Sequence, residues 1–346
     1  MKQTCIQHKD KSTIQYIQEF IQTYGGSSQT HLGFLGDKDI FVTKNKKAAF
    51  LYRKNKDKFV VLGDALGENS IEALLEFEQY ARSMKCVPCF YQITENMKDV
   101  YIKAGYSLFK LGEEAVVELE QYEITGKKGA KLRTKRNRLI RQGFEFEVTM
   151  PEHDLYFLEN LKKVSDEWLN GREELSFSVS SFHYDYVSNF PVASLKNSDG
   201  EIIAFATLAI EGEIISIDLM RHKRDMPYGA MDMLFISILF WAKEKGFVKC
   251  SLGMAPLANV GIDANATLYE KSAKLIFKYG NSIYNFKGLL TYKSKFANCW
   301  EPKYLAYKPY SFIMVVNTLY KIVHGKKTFD SIIKFKKPVL KKTKIS

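Results

Sequence analysis

Cysteine is scarce in this sequence, and the few that occur form no disulfide pattern. The 346 residues include five cysteines, an odd number. Such sparse usage is typical of a protein in a reducing cytoplasm and argues against a disulfide-stapled scaffold. Cys86 and Cys89 have redox spacing, but the surrounding segment, K-C-V-P-C-F-Y-Q-I, is typical of a buried strand. We therefore interpret both as structural.

Long apolar runs and metal-ligand patterns are also missing. The longest apolar segments, 232–242 and 310–323, are too short to cross a bilayer. The N-terminus has no apolar stretch of the kind that marks a signal peptide. The six histidines show no metal-ligand spacing, so no metal site is expected. These observations predict a chain that is soluble or peripheral to a membrane.

The net charge of +12 is concentrated in two segments. Residues 127–143 contain eight Lys or Arg and no acidic residue, and residues 326–346 contain eight Lys and one Asp. Together these segments carry +15, which leaves −3 for the remainder. Local basicity of this kind favours contact with phosphate-rich partners such as RNA or anionic lipid. A merely solvated helix is the alternative for the first segment.

Hydrophobic periodicity and turn residues divide the chain into two similar halves. In each half, antiparallel strands lead into a loop and a helix, then a strand, another helix and final strands. This order resembles the acetyltransferase fold of the GNAT superfamily, used twice. It predicts an α/β (α+β) protein with mixed sheets flanked by helices. The expected parts are an N-terminal GNAT-like domain (1–125), a basic connector helix (126–150), a C-terminal catalytic domain (151–325) and a basic tail (326–346).

The stretch 216–235 combines an apolar strand, a basic turn and a helix start. Its strand carries Asp218 and Arg221, three residues apart, which face opposite sides of an ideal strand. Both reach one site if a turn already begins at Met220; otherwise they are a surface ion pair. The turn M-P-Y-G-A resembles a weakened GNAT pyrophosphate loop that keeps one glycine, Gly229. Coenzyme A is therefore not expected as a cofactor.

Two later segments suit a ligand with apolar and phosphate parts. Met254, Pro256 and Leu257 continue past a strand end, where they fit either a lipid-like ligand or ordinary core packing. Lys293 and Lys295 alternate with aromatic residues, a pattern that suits phosphate binding beside ring stacking but also occurs on solvated faces. Upstream, Glu270 and Lys274 have the spacing of a helix-surface pair.

Eight motifs in order together resemble the C-terminal synthase domain of lysylphosphatidylglycerol synthase, the multiple peptide resistance factor family. The resemblance runs from about residue 33 to residue 307 and rests on L-G-D-K-D-I-F, F-K-L-G-E-E-A, D-L-M-R, Y-G-A-M-D-M-L-F, L-G-M-A-P-L, Y-E-K, F-K-G-L-L-T-Y-K-S-K-F and W-E-P-K-Y-L-A-Y. It implies transfer of an aminoacyl group, usually lysyl, from charged tRNA to the glycerol head group of phosphatidylglycerol. The product lowers the negative charge of the membrane and weakens cationic antimicrobial peptides.

The resemblance also implies roles for residues. Asp218 would orient the lipid hydroxyl or the substrate amine, and Arg221 would hold the tRNA 3′ end or the lipid phosphate. Lys293 and Lys295 would neutralise phosphate, and Glu270 would be an acidic partner. Which group takes the proton stays open, and the vicinal 2′-hydroxyl of the tRNA could do so. The remaining assignments are tRNA contacts by Lys131, Arg133, Arg136, Arg138 and Arg141, and a lipid pocket of Met254, Pro256, Leu257, Trp300 and Tyr304.

The family's membrane arrangement adds further expectations. Its full-length members carry an N-terminal multi-helix flippase region that this sequence does not contain. The chain would therefore be part of a larger protein or a free-standing synthase served by a separate flippase, at the cytoplasmic face of the membrane. The amphipathic segment 310–323 and its lysine tail would lie on the anionic leaflet.

Two other functions stay open at this point. One is a tandem-GNAT aminoacyl-tRNA transferase that acts on a peptidoglycan precursor, and the other is a non-catalytic module that binds RNA or membrane. The choice of amino acid is also open. Selection of lysine would need a carboxylate, for which Glu173, Glu174 and Asp232 are candidates.

Overall fold

A computed structural model describes residues 5–6, 11–262, 267–279, 285–309 and 312–325. The predicted basic tail at 326–346 lies outside the described residues. The helices are α1 (Lys11–Tyr24), α2 (Ile71–Ser83), α3 (Lys98–Lys103), α4 (Gly126–Arg141), α5 (Leu155–Leu169), α6 (Tyr184–Val187), α7 (Ala230–Glu244), α8 (Leu268–Tyr279), α9 (Phe286–Lys293) and α10 (Phe312–His324).

The strands are β1 (Cys5–Ile6), β2 (Asp39–Val42), β3 (Ala48–Asn55), β4 (Lys58–Leu62), β5 (Leu66–Gly67), β6 (Val87–Thr94), β7 (Ser107–Glu118), β8 (Glu145–Thr149), β9 (Val192–Lys196), β10 (Ile202–Glu211), β11 (Ile214–His222), β12 (Lys249–Pro256) and β13 (Cys299–Tyr307). Short 3-10 turns occupy Thr30–Leu35 and Glu95–Met97.

These strands form one continuous mixed sheet within the described residues. Its order is β1-β2-β3-β4-β6-β13-β7-β12-β11-β10-β9-β8, and β5 pairs with β3 at the side. The described pairings are antiparallel except for β4 with β6 and β11 with β12. The predicted α/β class and the repeated element order of two GNAT-like units are confirmed. The two halves share this one sheet, because β13 of the C-terminal half inserts between β6 and β7 of the N-terminal half.

Strand β7 is longer than its sequence indicates. Gly112 suggests a break between two short strands, yet one strand runs from Ser107 to Glu118. A Cβ atom at Gly112 would lie 2.3 Å from the carbonyl oxygen of Ala255, so glycine lets β12 approach β7 closely at this point. The close approach brings the end of β12 against the N-terminal half.

Helices cover both faces of the C-terminal part of the sheet. Helix α5 begins behind Asp154, whose carboxylate accepts a hydrogen bond from the Phe157 amide at 2.7 Å. It buries Leu158 and Leu161 against β10 and β11, whereas α7 buries Leu234 and Ile238 in a separate core cluster. The connector helix α4 packs on α7. The parallel strands β11 and β12 therefore lie in a part of the sheet that helices cover on both faces.

Candidate active site

A β-bulge in β11 brings Asp218 and Arg221 to the same side of the sheet. Ile217 pairs with Leu208 and Met220 pairs with Ala206, so Asp218 and Leu219 together oppose Thr207. The extra residue shifts the alternation of side chains by one. Asp218 and Arg221, three positions apart, therefore face the same side of the sheet. The turn that the sequence offers at Met220 is not needed for this, since β11 continues to His222.

The parallel strands β11 and β12 separate just before the bulge. They pair only at residues 214–216 and 249–251, and a cavity of about 430 Å³ opens where they diverge. Both halves of the chain contribute to its walls. The polar lining includes His31, Gln92, Glu114, Ser180, Ser216, Asp218, Arg221, Ser251 and Lys293. The hydroxyl of Ser216 is buried and has no hydrogen-bond partner among the described residues, so it is available to a ligand.

Asp218 lies at the centre of a hydrogen-bond network at this cavity. Its carboxylate accepts from the Tyr186 hydroxyl at 2.7 Å and from the Thr207 hydroxyl at 3.1 Å. The Nε2 atom of His31 lies 3.2 Å from its other oxygen. Burial alone would raise the pKa of Asp218, but the charge and hydrogen bond of His31, with the hydrogen bond from Tyr186, outweigh it and lower that pKa. Asp218 is therefore a carboxylate at neutral pH.

His31 completes the network from the N-terminal half and was missed by the sequence reasoning. Its Nδ1 atom lies 3.3 Å from Glu211 Oε1, so the ring sits between two carboxylates. Burial alone would lower the pKa of His31, but Asp218 and Glu211 outweigh it and raise that pKa to about 10. The imidazolium is flanked by two negative charges, so the cluster Glu211–His31–Asp218 carries a net charge of −1. The histidine is 187 positions from Asp218, and no spacing in the sequence links them.

Arg221 lines the cavity but is held firmly by the protein. Its guanidinium donates to Glu174 at 2.8 Å, to the Met220 carbonyl at 2.9 Å and to the Ser165 hydroxyl at 3.3 Å. It also stacks over Trp168, 4.2 Å from the ring centroid. Three of the five N–H donors of an arginine are thus used, which leaves two for a ligand oxygen. Glu174, a candidate for lysine selection, is already the partner of Arg221.

Lys293 is a buried cation on the opposite, β12 side of the lining. Its ammonium donates to the Met254 carbonyl at 2.9 Å and lies near Gly253. Burial lowers the pKa of Lys293 to about 8, against a smaller opposing effect from Glu114. Glu114 itself is paired with Lys303 at 2.8 Å. Lys293 therefore carries a positive charge at neutral pH that no carboxylate contacts among the ion pairs of the described residues.

Two other expected catalytic residues lie elsewhere. Lys295 pairs with Asp232 at 2.9 Å, and Lys135 of α4 binds the second oxygen of the same carboxylate. Asp232 is therefore neutralised, which weakens it as a candidate for lysine selection. Glu270 forms a capping box with Thr267, accepting from the Thr267 amide at 2.9 Å, and it also accepts from the Lys110 amide. Both residues have structural roles in this conformation.

The expected lipid pocket is only partly assembled at the cavity. Met254 and Pro256 line it, beside Leu252 and Leu289. Trp300 instead packs against the core cluster of the C-terminal half, and Leu257 packs under α10. Tyr304 donates its hydroxyl to Glu95 and packs in the N-terminal core.

The predicted connector helix (126–150) is helical only from Gly126 to Arg141, as α4, because residues 145–149 pair with β9 as strand β8. One side of α4 is buried and the other is exposed. Leu132 and Leu139 are buried, whereas Ile140 is exposed. Lys131, Arg138 and Arg141 are exposed, whereas Arg133 and Arg136 are half-buried. Arg133 donates to the carbonyl oxygens of 124 and 126, and Arg138 donates to that of Tyr228. The exposed cations form a basic surface, and their contact with tRNA stays a prediction.

Known proteins with similar sequences share most of this chain. The sequence profile of the family described as "Phosphatidylglycerol lysyltransferase, C-terminal" matches residues 18–307. The phosphatidylglycerol lysyltransferase of Bacillus subtilis is 40% identical over 340 residues, which cover 95% of this chain and 40% of that protein. The chain thus spans about 40% of the length of this curated relative.

Solved structures share the fold over nearly their full length. L-PGS from Bacillus licheniformis is 39% identical with a TM-score of 0.80, and the match covers 90% of this chain and 96% of that one. The C-terminal domain of an Agrobacterium fabrum protein assigned as a lysylphosphatidylglycerol synthetase is 31% identical with a TM-score of 0.80, covering 91% and 98%. The chain therefore belongs to the family of the C-terminal domain of phosphatidylglycerol lysyltransferase.

Proposed function

We propose that this chain transfers a lysyl group from charged tRNA to a glycerol hydroxyl of phosphatidylglycerol. One structural observation supports this reaction beyond family membership. The cavity where β11 and β12 diverge carries a negative cluster, Glu211–His31–Asp218, and a buried cation, Lys293. A substrate pair made of an aminoacyl cation and a phosphate-bearing alcohol needs both charges.

The reaction is the exchange of one ester for another. The glycerol oxygen bonds to the lysyl carbonyl carbon, the bond to the tRNA ribose oxygen breaks, and the glycerol proton ends on that ribose oxygen. The donor ester is already activated, so orientation and stabilisation of the developing oxyanion are the main requirements. No metal or coenzyme A enters this scheme. The tRNA 2′-hydroxyl is our candidate for relaying the proton.

The two walls of the cavity carry opposite charges and therefore bind different parts of the substrates. Asp218 attracts the amine of the lysyl group, because its cluster carries a net negative charge away from bulk water. Lys293 stabilises the oxyanion or the lipid phosphate from the β12 wall. Arg221 offers two N–H donors to a phosphate oxygen, and Glu174 and Trp168 keep its plane fixed. Met254 and Pro256 contact the apolar part of the lipid.

The tRNA and the membrane approach from the surface. Exposed cations of α4, Lys131, Arg138 and Arg141, contact the tRNA backbone. None of the helices in the described part of the chain has the length and apolar character needed to span a bilayer. We place the reaction at the cytoplasmic leaflet, where charged tRNA is found, and a flippase region or separate protein would carry the product across. Its added amine would reduce binding of cationic antimicrobial peptides.

Purified protein, Lys-tRNA labelled on lysine, and phosphatidylglycerol vesicles test the proposal. We expect label in the organic extract, dependent on both substrates and lost with Asp218→Ala or Arg221→Ala in folded protein. Phosphatidylcholine vesicles are the matched control for the acceptor. Full activity of both variants would refute the site, and label in an amino-sugar precursor, supplied in a parallel reaction, would favour a peptidoglycan acceptor instead.

A further inference from the structure

Helices α8 and α10 expose large aliphatic side chains next to each other. On α8, Leu268 is 81% exposed and Leu275 is 58% exposed. At the start of α10, Ile313 is 73% exposed and Met314 is 56% exposed. We call these four residues the α8–α10 patch. Aliphatic exposure on this scale at one place marks an interaction surface.

The two helices contact each other at the edge of the patch through Tyr269, which is 47% exposed, and are supported by a core cluster beneath it. Tyr269 of α8 stacks on Phe312 of α10 with ring centroids 4.3 Å apart. On its other side, α10 buries Val315, Leu319 and Ile322 in a core cluster that Ala273 of α8 also enters. Both helices therefore have a buried face of their own. The patch residues belong to the opposite, outward side.

Exposed lysines lie among the patch residues on α8. Lys271 is three positions after Leu268, and Lys274 directly precedes Leu275; both are exposed. Aliphatic side chains flanked by lysine are the composition of helices that lie in the interface of an anionic bilayer. A surface for single-stranded RNA would instead present aromatic rings for stacking. The four patch residues are apolar and not aromatic, and the exposed ring beside them, that of Tyr269, is already stacked on Phe312.

Helix α8 is also fixed to the segment that leaves the cavity. Met254 and Pro256 line the cavity, and the chain then turns to Gly261, where a Cβ atom would lie 2.3 Å from the Glu270 carbonyl oxygen. The Glu270 side chain accepts a hydrogen bond from the Lys110 amide of β7 at 3.1 Å. These contacts hold the patch beside the β12 end of the cavity.

We infer that the α8–α10 patch docks on an anionic lipid bilayer and thereby brings the β12 end of the cavity to the lipid head groups. Leu268, Leu275, Ile313 and Met314 insert at the level of the head groups, and Lys271 and Lys274 contact lipid phosphates. The identity of the surface as a membrane rests on the proposed function. Binding to the bilayer and transfer chemistry are nevertheless separate properties that can be measured apart.

Vesicle co-sedimentation without tRNA tests the docking directly. The wild-type protein should bind phosphatidylcholine vesicles that contain phosphatidylglycerol, and replacing all four patch residues with serine should weaken binding about tenfold or more. The matched control replaces Leu155 and Tyr156 of α5, which are 65% and 75% exposed, with serine and should bind as wild type. Lys271→Gln with Lys274→Gln should lower the dependence on phosphatidylglycerol.

Transfer to two forms of the acceptor separates docking from chemistry. The serine variant should lose transfer to vesicles but keep transfer to monomeric short-chain phosphatidylglycerol within about twofold, because only membrane binding is removed. Wild-type vesicle binding by the serine variant would overturn the docking and leave the proposed reaction intact. Loss of tRNA binding by the serine variant would overturn membrane docking and indicate that the patch binds RNA. Vesicle binding by a wild-type protein that transfers no lysine would instead refute the reaction alone.

Discussion

At neutral pH, replacing Lys293 with methionine should leave the protein at least as stable as the wild type while it lowers the activity. The side chains have similar length, so the change mainly deletes a buried charge. Burial lowers the pKa of Lys293 from 10.5 to about 8, which corresponds to a cost of about 3 kcal/mol for a charged Lys293 in the folded protein. Loss of its hydrogen bond to the Met254 carbonyl offsets about 1–3 kcal/mol of that gain.

The pH dependence of the stability difference separates the effect of the Lys293 charge from that of the lost hydrogen bond. Well below pH 8 Lys293 is protonated in both the folded and unfolded states, and its burial cost is fully present. As the pH rises from about 8 towards 10.5, the folded protein releases the proton first, so the wild type gains stability relative to Lys293→Met. Between about pH 7 and 9.5 the difference in unfolding free energy should change by about 2 kcal/mol. Lys38, whose pKa is also lowered to about 8, is present in both proteins and cancels.

Urea denaturation of both proteins across this pH range measures the difference. Label transfer at neutral pH should fall about a hundredfold or more in Lys293→Met, since a cation near the reacting oxygen is lost. A stability difference that does not change with pH would refute the buried charge. Undiminished transfer would refute its role in the reaction.

Three further variants test other residues of the cavity and of α4. Asp218→Asn keeps the shape of the side chain but removes its charge, and should lower label transfer at least about a hundredfold with the far-UV circular dichroism unchanged; near-normal transfer would contradict its role. Arg221→Lys loses the planar contacts of the guanidinium and should lower the free energy of unfolding in urea by about 2–4 kcal/mol, whereas an unchanged midpoint would show that the buried pair contributes little. Replacing Lys131, Arg138 and Arg141 with alanine should weaken tRNA binding and reduce the slope of log affinity against log salt by about 2, measured by filter binding; an equal slope would exclude these contacts.

The element order and part of the site were predictable from local patterns. Hairpin turns, helix periodicity and the strand carrying Asp218 are local properties, and the structure agrees with them. The proximity of Asp218 and Arg221 was expected for the wrong reason. A bulge depends on how β11 pairs with β10, and the hydroxyl of Thr207 that supports it lies in the other strand.

Long-range contacts account for what the sequence did not show. His31 reaches Asp218 only because the N-terminal half folds against β11. Strand β13 pairs with β6 and β7, which lie far earlier in the sequence. Charge partners produced the remaining differences. Lys295 and Glu270 are residue types suited to catalysis. In the structure, however, Lys295 pairs with a carboxylate, that of Asp232, and Glu270 caps the N-terminus of α8.

The lipid product is the direct readout of the proposed lysyl transfer. Mass spectrometry of lipid extracts, made after the purified chain is incubated with Lys-tRNA and phosphatidylglycerol vesicles, identifies the acceptor and the group attached to it. We predict phosphatidylglycerol carrying one esterified lysine, formed by the wild type and absent with Asp218→Asn. Unmodified phosphatidylglycerol, with the lysine still on tRNA or released as free amino acid, would contradict it.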